Sequence, residues 1–277
     1  MNALKRRIEH PQDVLKSMAS QLANEIHMKN KKAVILGLSG GADSALAAHI
    51  AARATADNIV VHAYCLTDNS MPIEGMNRAD SLGTKYANTT FLYEKKHIQS
   101  ILNEYSSMMT EGERLDNAAI NRCRRIILEQ EARIHDGIIV NTKNLTDWFL
   151  GWVTLGGDDG TYPLLKFLLK TEVMKLLDEA IKWESARPEI AEVLTGCLKA
   201  EAADSCGISE YTSMEGLIEP NVDHSLCTIL AASESNCEIL LNSYKDSPVW
   251  KAIKQAKYLR EADPFDYNQY RTTFFDA

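Results

Sequence analysis

A short apolar run, Ala33-Val34-Ile35-Leu36, leads into Ser39-Gly40-Gly41-Ala42-Asp43-Ser44 and then into an alanine-rich amphipathic stretch from Ala45 to Ala54. A strand that feeds a glycine turn opening a helix is the unit of a parallel sheet with crossover helices. The same turn dictates a chemistry. Backbone N–H groups of Gly40, Gly41 and Ala42 converge on one anion, and the helix dipole adds partial positive charge there. Glycine permits the tight turn and a ligand's close approach, Ser39 and Ser44 supply hydroxyl donors, and Asp43 is placed to hold Mg²⁺ carried in with phosphates. The competing reading is a glycine-serine turn that merely joins a strand to a helix, and the strand-turn-helix context weighs against it.

The rest of the chain is compatible with such a sheet. Its 277 residues support one large α/β domain or one domain with a helical appendage, and 45% hydrophobic content is ample for a core. A net charge of -8 argues against a general nucleic-acid or membrane surface. The longest apolar stretches are strand-sized, and Met1 to Arg7 carries early charge with no apolar segment after it, so neither a membrane span nor a secretory signal is expected. Cys65, Cys123, Cys197, Cys206, Cys227 and Cys237 form no C-x-x-C pair and read as reduced, packed thiols of a cytoplasmic protein.

Periodicity predicts a helix over Leu15 to Met28, a second strand over Ile59 to Leu66 and a helix from Ile73 to Tyr86. A third strand over Thr89 to Tyr93, a helix near His97 to Met109, a long helix over Asn117 to Ile134 and a fourth strand over Gly137 to Asn141 follow. Beyond Lys182 the pattern turns helical, ending in a tail rich in aromatic residues and Asp. Three segments are expected: N-terminal helical residues 1–30, an α/β core over 31–181, and a C-terminal helical region with tail over 182–277. Ligands of such sheets bind at strand ends, so the site is expected just after Leu36, Leu66, Tyr93 and Val140.

The turn lacks the lysine of the Walker loop and the spacing of the dinucleotide fingerprint. It resembles the S-G-G-x-D-S loop of the N-type ATP pyrophosphatases, which holds the β,γ-pyrophosphate while AMP is transferred to a substrate oxygen. A second constellation extends the likeness. Val140-Asn141-Thr142-Lys143-Asn144-Leu145-Thr146-Asp147, then Thr154 to Gly160, then Leu169-Lys170-Thr171-Glu172-Val173 follow the order of the ammonia-dependent NAD synthetases. In that family a G-T-N-x-x-E segment runs to T-K-Y-G-D-G-G and then to L-x-K-T-x-V. Arg122-Cys123-Arg124-Arg125-Ile126 is similar to its R-x-R-M helix, and Gly207-Ile208-Ser209 to its late L-G-x-S-Y.

The resemblance implies a doubly wound parallel sheet, Rossmann-like and of the adenine nucleotide alpha hydrolase type, with a C-terminal helical region and a homodimeric assembly. It implies that Asp43 and Asp147 hold Mg²⁺, that Lys170 contacts the triphosphate, and that Ser39 to Ser44, Arg124, Thr142 and Thr195 bind ATP. Arg122 and Asp158 fall at positions for the second substrate, deamido-NAD. The activity implied is ATP-dependent amidation of a carboxylate by ammonia, free or delivered by a separate partner. The departures gather on the substrate side. Thr154-Leu155-Gly156-Gly157-Asp158-Asp159-Gly160-Thr161-Tyr162 loses the family's Lys, Tyr and second Asp, and Thr67-Asp68-Asn69-Ser70 lacks the Arg and Pro common there. A paralogue amidating another carboxylate therefore stays open, as do, at lower rank, a tRNA-modifying or sulfur-transfer enzyme of the superfamily and a nucleotide-binding module without catalysis.

Overall fold

The computed structural model describes residues 8–55, 59–109, 117–157 and 160–200. Within them α1 (Pro11–Met28) precedes β1 (Ala33–Gly37), α2 (Ala42–Arg53), β2 (Val60–Thr67), α3 (Ile73–Tyr86), β3 (Phe91–His97) and α4 (Gln99–Ser107). Then come α5 (Asn117–Ile134), β4 (Gly137–Ile139), α6 (Leu145–Leu150), α7 (Lys170–Trp183), a 3-10 turn (Glu184–Ala186) and α8 (Pro188–Leu198). The four strands are parallel and ordered β3-β2-β1-β4.

Strand residues alternate between two cores, as the period of two requires. Val34, Leu36, Val61 and Ala63 face a large cluster with Leu22 of α1, Leu46 of α2, Leu82 of α3, Leu176 of α7 and Leu194 of α8. Ala33, Ile35, Tyr64 and Leu66 face the other side, against Leu102 of α4 and Ile120 and Cys123 of α5. Helices cover both faces, so the sheet is doubly wound. The chain moves outward from β1 through β2 to β3 and then crosses to β4 on the far side of β1. The order reverses between β1 and β4, which opens a crevice at their carboxyl ends.

Several boundaries differ from the sequence expectation for local reasons. α1 begins at Pro11, a residue suited to a first helical position, and α2 begins at Ala42, which brings Asp43 into its first turn. β3 lies later than Thr89 to Tyr93 because the Asn88 side chain accepts the N–H groups of Thr90 and Phe91 at 2.7 and 2.9 Å, which holds residues 88–90 in a bend and starts the strand at Phe91. It then runs through Glu94, Lys95 and Lys96, since an outer strand leaves charged side chains in water. β4 ends at Ile139, and Val140 makes a single bridge to Tyr162.

At the end of α2 away from the glycine turn, Glu184 is buried and ion-paired with Arg53 and Arg187. His49 Nδ1 lies 3.1 Å from Glu184 Oε1 and 3.0 Å from Tyr86 Oη. This cluster joins α2, α3 and the segment between α7 and α8. Cys65, Cys123 and Cys197 are buried free thiols, and burial raises the pKa of each, that of Cys197 to about 11. No described helix is long and apolar enough to cross a membrane. Gly207-Ile208-Ser209, Cys206, Cys227, Cys237 and the aromatic tail lie outside the described residues.

Candidate active site

The glycine turn is braced from within. Gly40 adopts φ +78°, and a Cβ there would fall 2.2 Å from the Gly75 carbonyl oxygen, so α3 presses on the turn as no residue but glycine allows. Ser44 Oγ donates to the Gly41 carbonyl at 3.1 Å and accepts the Ser39 N–H at 3.2 Å. Ser39 Oγ lies 3.0 Å from Ser44 Oγ and accepts the Gly41 N–H at 3.3 Å. Both hydroxyls expected to face a ligand thus also shape the loop that would bind it.

Three elements meet at Asp43. Its carboxylate forms an ion pair with Lys170, the first residue of α7, and accepts from Asn144 Nδ2 at 2.8 Å. Asn144 caps α6: its Oδ1 accepts the Asp147 N–H at 3.1 Å, while Asp147 Oδ2 accepts the Asn144 N–H at 3.1 Å. That reciprocal pair is a capping box. Thr146 Oγ1 accepts the Lys170 N–H at 3.0 Å, which ties the start of α7 to α6. The helix stops at Gly151, with φ +82°.

Asp43 and Asp147 influence each other. Burial pushes the Asp147 carboxyl up to about 6, and the charge of Asp43 adds to it against the opposing pull of Lys143 and Lys170. Two neighbouring carboxylates, one raised partly by the other's charge, are a hard-oxygen donor set that a divalent cation would relieve. No group of three or more potential metal ligands exists among the described residues.

The other expected residues are placed differently. Arg124 Nη2 pairs with the buried Asp68 at 2.6 Å, just beyond β2. Burial would raise the Asp68 carboxyl, but hydrogen bonds from Ser70 and the Arg124 charge outweigh it and hold the carboxyl below its usual range. Arg122 is exposed, with its Nε on the Leu155 carbonyl at 3.3 Å. Residues two apart on a helix point about 200° away from each other, so α5 sends the two arginines to different surroundings. Thr142 is partly buried between β4 and α6. Thr195 donates to the Ala191 carbonyl at 2.7 Å within α8. None of these four contacts Asp43 directly. Asp158 lies outside the described residues.

Sequence reasoning did not single out Asn144, Thr146 or Arg78, whose Nε donates to the Gly40 carbonyl at 2.9 Å. Asn144-Leu145-Thr146-Asp147 does carry a signal, a capping residue with an acid three positions on. Nothing in the amphipathic pattern of α3 marks Arg78.

A glycine turn after the first strand of a doubly wound parallel sheet, with an acidic pair beside it at the switch point, defines the class: an α/β protein whose candidate ligand crevice lies at the carboxyl ends of its strands. The comparisons narrow the class. The sequence model of the family described as NAD synthase matches residues 14–204, and the chain belongs to that family. It is 28% identical over 172 residues to the NH(3)-dependent NAD(+) synthetase of Picrophilus torridus, and 29% over 168 residues to that of Thermococcus sibiricus. Those alignments cover 61% and 59% of this chain and 66% and 63% of the relatives, so the chain spans just under two thirds of their length. An NMN synthetase structure from Francisella tularensis shares the fold at TM-score 0.64 and 19% identity, covering 89% of this chain and 92% of that one. An NH3-dependent NAD synthetase from Campylobacter jejuni matches at TM-score 0.64 and 21% identity, covering 94% and 96%.

Proposed function

We propose that the protein is an ATP-dependent amide ligase that adenylates the carboxylate of deamido-NAD and converts it with ammonia to NAD. The observation that carries this reading is the convergence of Asp43, Lys170 and the Asn144–Asp147 pair on the glycine turn. In this reading the turn grips the β- and γ-phosphates through its N–H groups and the α2 dipole. A carboxylate oxygen of the acceptor attacks the α-phosphorus, the bond from that phosphorus to the bridging oxygen breaks, and pyrophosphate leaves. Ammonia then forms the C–N bond, AMP departs with the bonding pair, and a proton passes to solvent.

The chain's own work is positioning and charge. Asp43 and Asp147 are the residues that would hold Mg²⁺. When bound, Mg²⁺ supplies neutralisation of the negative charge that grows on the departing pyrophosphate. Lys170 exchanges its ion pair with Asp43 for a phosphate contact and offsets the same charge. Asn144 keeps both carboxylates in register. A homodimer and ammonia taken free or from a separate partner complete the reading, with the cytoplasm as its setting.

A second acceptor is favoured by one observation. The segment from Thr154 to Tyr162 has lost the lysine, tyrosine and second aspartate that the family carries there, and one fold neighbour is named as an NMN synthetase. A site with fewer polar groups suits the smaller mononucleotide counterpart of deamido-NAD. Incubation with ATP, Mg²⁺, ammonium and either acceptor, followed by mass spectrometry, separates the cases. AMP with NAD supports the first reading, and AMP with NMN alone supports the second. ADP with phosphate sinks both.

A further inference from the structure

The turn carries a cation that none of the roles above uses. α3 is packed so tightly against the loop that Gly40 has no room for a side chain, its would-be Cβ lying 2.2 Å from the Gly75 carbonyl oxygen. Three residues further along the same helix face, Arg78 reaches the loop and spends its Nε on the Gly40 carbonyl at 2.9 Å. A guanidinium has five N–H donors, so its two terminal nitrogens still hold four. No carboxylate among the described residues pairs with them. Other described cations have carboxylate partners: Lys170 has Asp43, Arg124 has Asp68, and Arg53 and Arg187 have Glu184. Cys197 on α8, close enough to feel the Arg78 charge, is kept a neutral thiol by burial and gives no counter-ion.

We propose that Arg78 is a polyphosphate-binding residue of this site, presenting its guanidinium fork to the β- and γ-phosphates of ATP and to the pyrophosphate released from it. The proposal rests on the ATP-dependent reading and deepens it. One nitrogen fixes the loop and holds the guanidinium beside the turn, so in this proposal a single side chain both shapes the turn and supplies it with positive charge. Planar guanidinium matches phosphate oxygens in pairs, whereas a lysine ammonium binds them as a point charge.

Calorimetric titration of the full chain with ATP and Mg²⁺, with pyrophosphate and Mg²⁺, and with AMP tests this in the wild type, Arg78→Gln and Arg78→Lys. Arg78→Gln is expected to weaken ATP and pyrophosphate about tenfold or more and to change AMP less than about twofold, with Arg78→Lys intermediate for the first two ligands. Unchanged ATP affinity in Arg78→Gln overturns the proposal. So does an equal loss for AMP and ATP, which would make Arg78 a prop for the loop alone. If Arg78→Gln does not fold, Arg78→Lys decides by the same contrast between ATP and AMP. Failure of the ligase reading looks different: a wild type that binds ATP yet releases ADP leaves the ATP-against-AMP contrast intact, whereas one that binds no ATP overturns both.

Discussion

Asp43 answers to a lysine from α7 and an amide from α6, so one side chain couples the turn to two later segments of the chain. Asp43→Asn keeps its volume and an acceptor for Asn144 but loses the anion. AMP release at saturating Mg²⁺ is expected to fall on the order of 100-fold with little change in melting temperature. Near-wild-type turnover would remove Asp43 from the metal site. Asp147→Ala is expected to weaken the Mg²⁺ dependence and also to lose half of the capping box, whereas Asp147→Glu is partly tolerated because a glutamate at that helix position still reaches the capping residue's N–H. A titration of activity against Mg²⁺ reads both; an unaltered profile in each would place the second ligand elsewhere. Asp43 and Asp147 were legible in the sequence because each sits in a local motif. The joining role of Asn144 was not, since its partner is 101 residues away and no local pattern records a contact across that separation.

At the level of elements, the turn depends on α3 as much as on its own glycines. Gly40→Ala would place a side chain in a left-handed backbone conformation, at a cost of about 1–2 kcal/mol, and would force α3 away from the loop. The expected outcome is loss of ATP binding with the sheet retained, checked by calorimetry beside circular dichroism; unimpaired binding would mean that the Gly40–Gly75 contact is dispensable. The helices over Ile73–Tyr86 and Asn117–Ile134 agree with the sequence expectation within the described residues, because their amphipathic patterns are long. β3 does not match, because an Asn88 side chain takes over its first N–H groups and its later residues carry charge that the alternation rule reads as loop. Arg122 and Arg124 were legible as a motif but not as a geometry: Asp68, which takes Arg124, is 56 residues distant.

For the whole molecule, the buried Glu184 cluster predicts how stability responds to acid. Burial would raise the Glu184 carboxyl, but hydrogen bonds from His49 and Arg53 and the nearby positive charge outweigh it and hold it at about 2, against an ordinary 4.5. Burial likewise holds His49 below its ordinary 6.5, in the neutral form. Both folded-state values lie below the unfolded ones, so the stabilisation is complete above 6.5, erodes as His49 protonates in the unfolded chain, and falls further between about 4.5 and about 2. Urea midpoints measured down this range should show that decline. Glu184→Gln should cost about 2 kcal/mol at neutral pH, less than for a fully enclosed pair because both arginines reach water, and should flatten the most acidic part of the curve. A midpoint independent of pH would show that the cluster contributes nothing. One of the two outer described strands, β3, has a consequence of another kind. An unpaired strand flank is a template on which a second chain can crystallise its own backbone, and β3 spoils that template with consecutive Glu94, Lys95 and Lys96. Self-association by sheet extension is therefore disfavoured at this flank, where a second chain would have to bury those charges to add a strand.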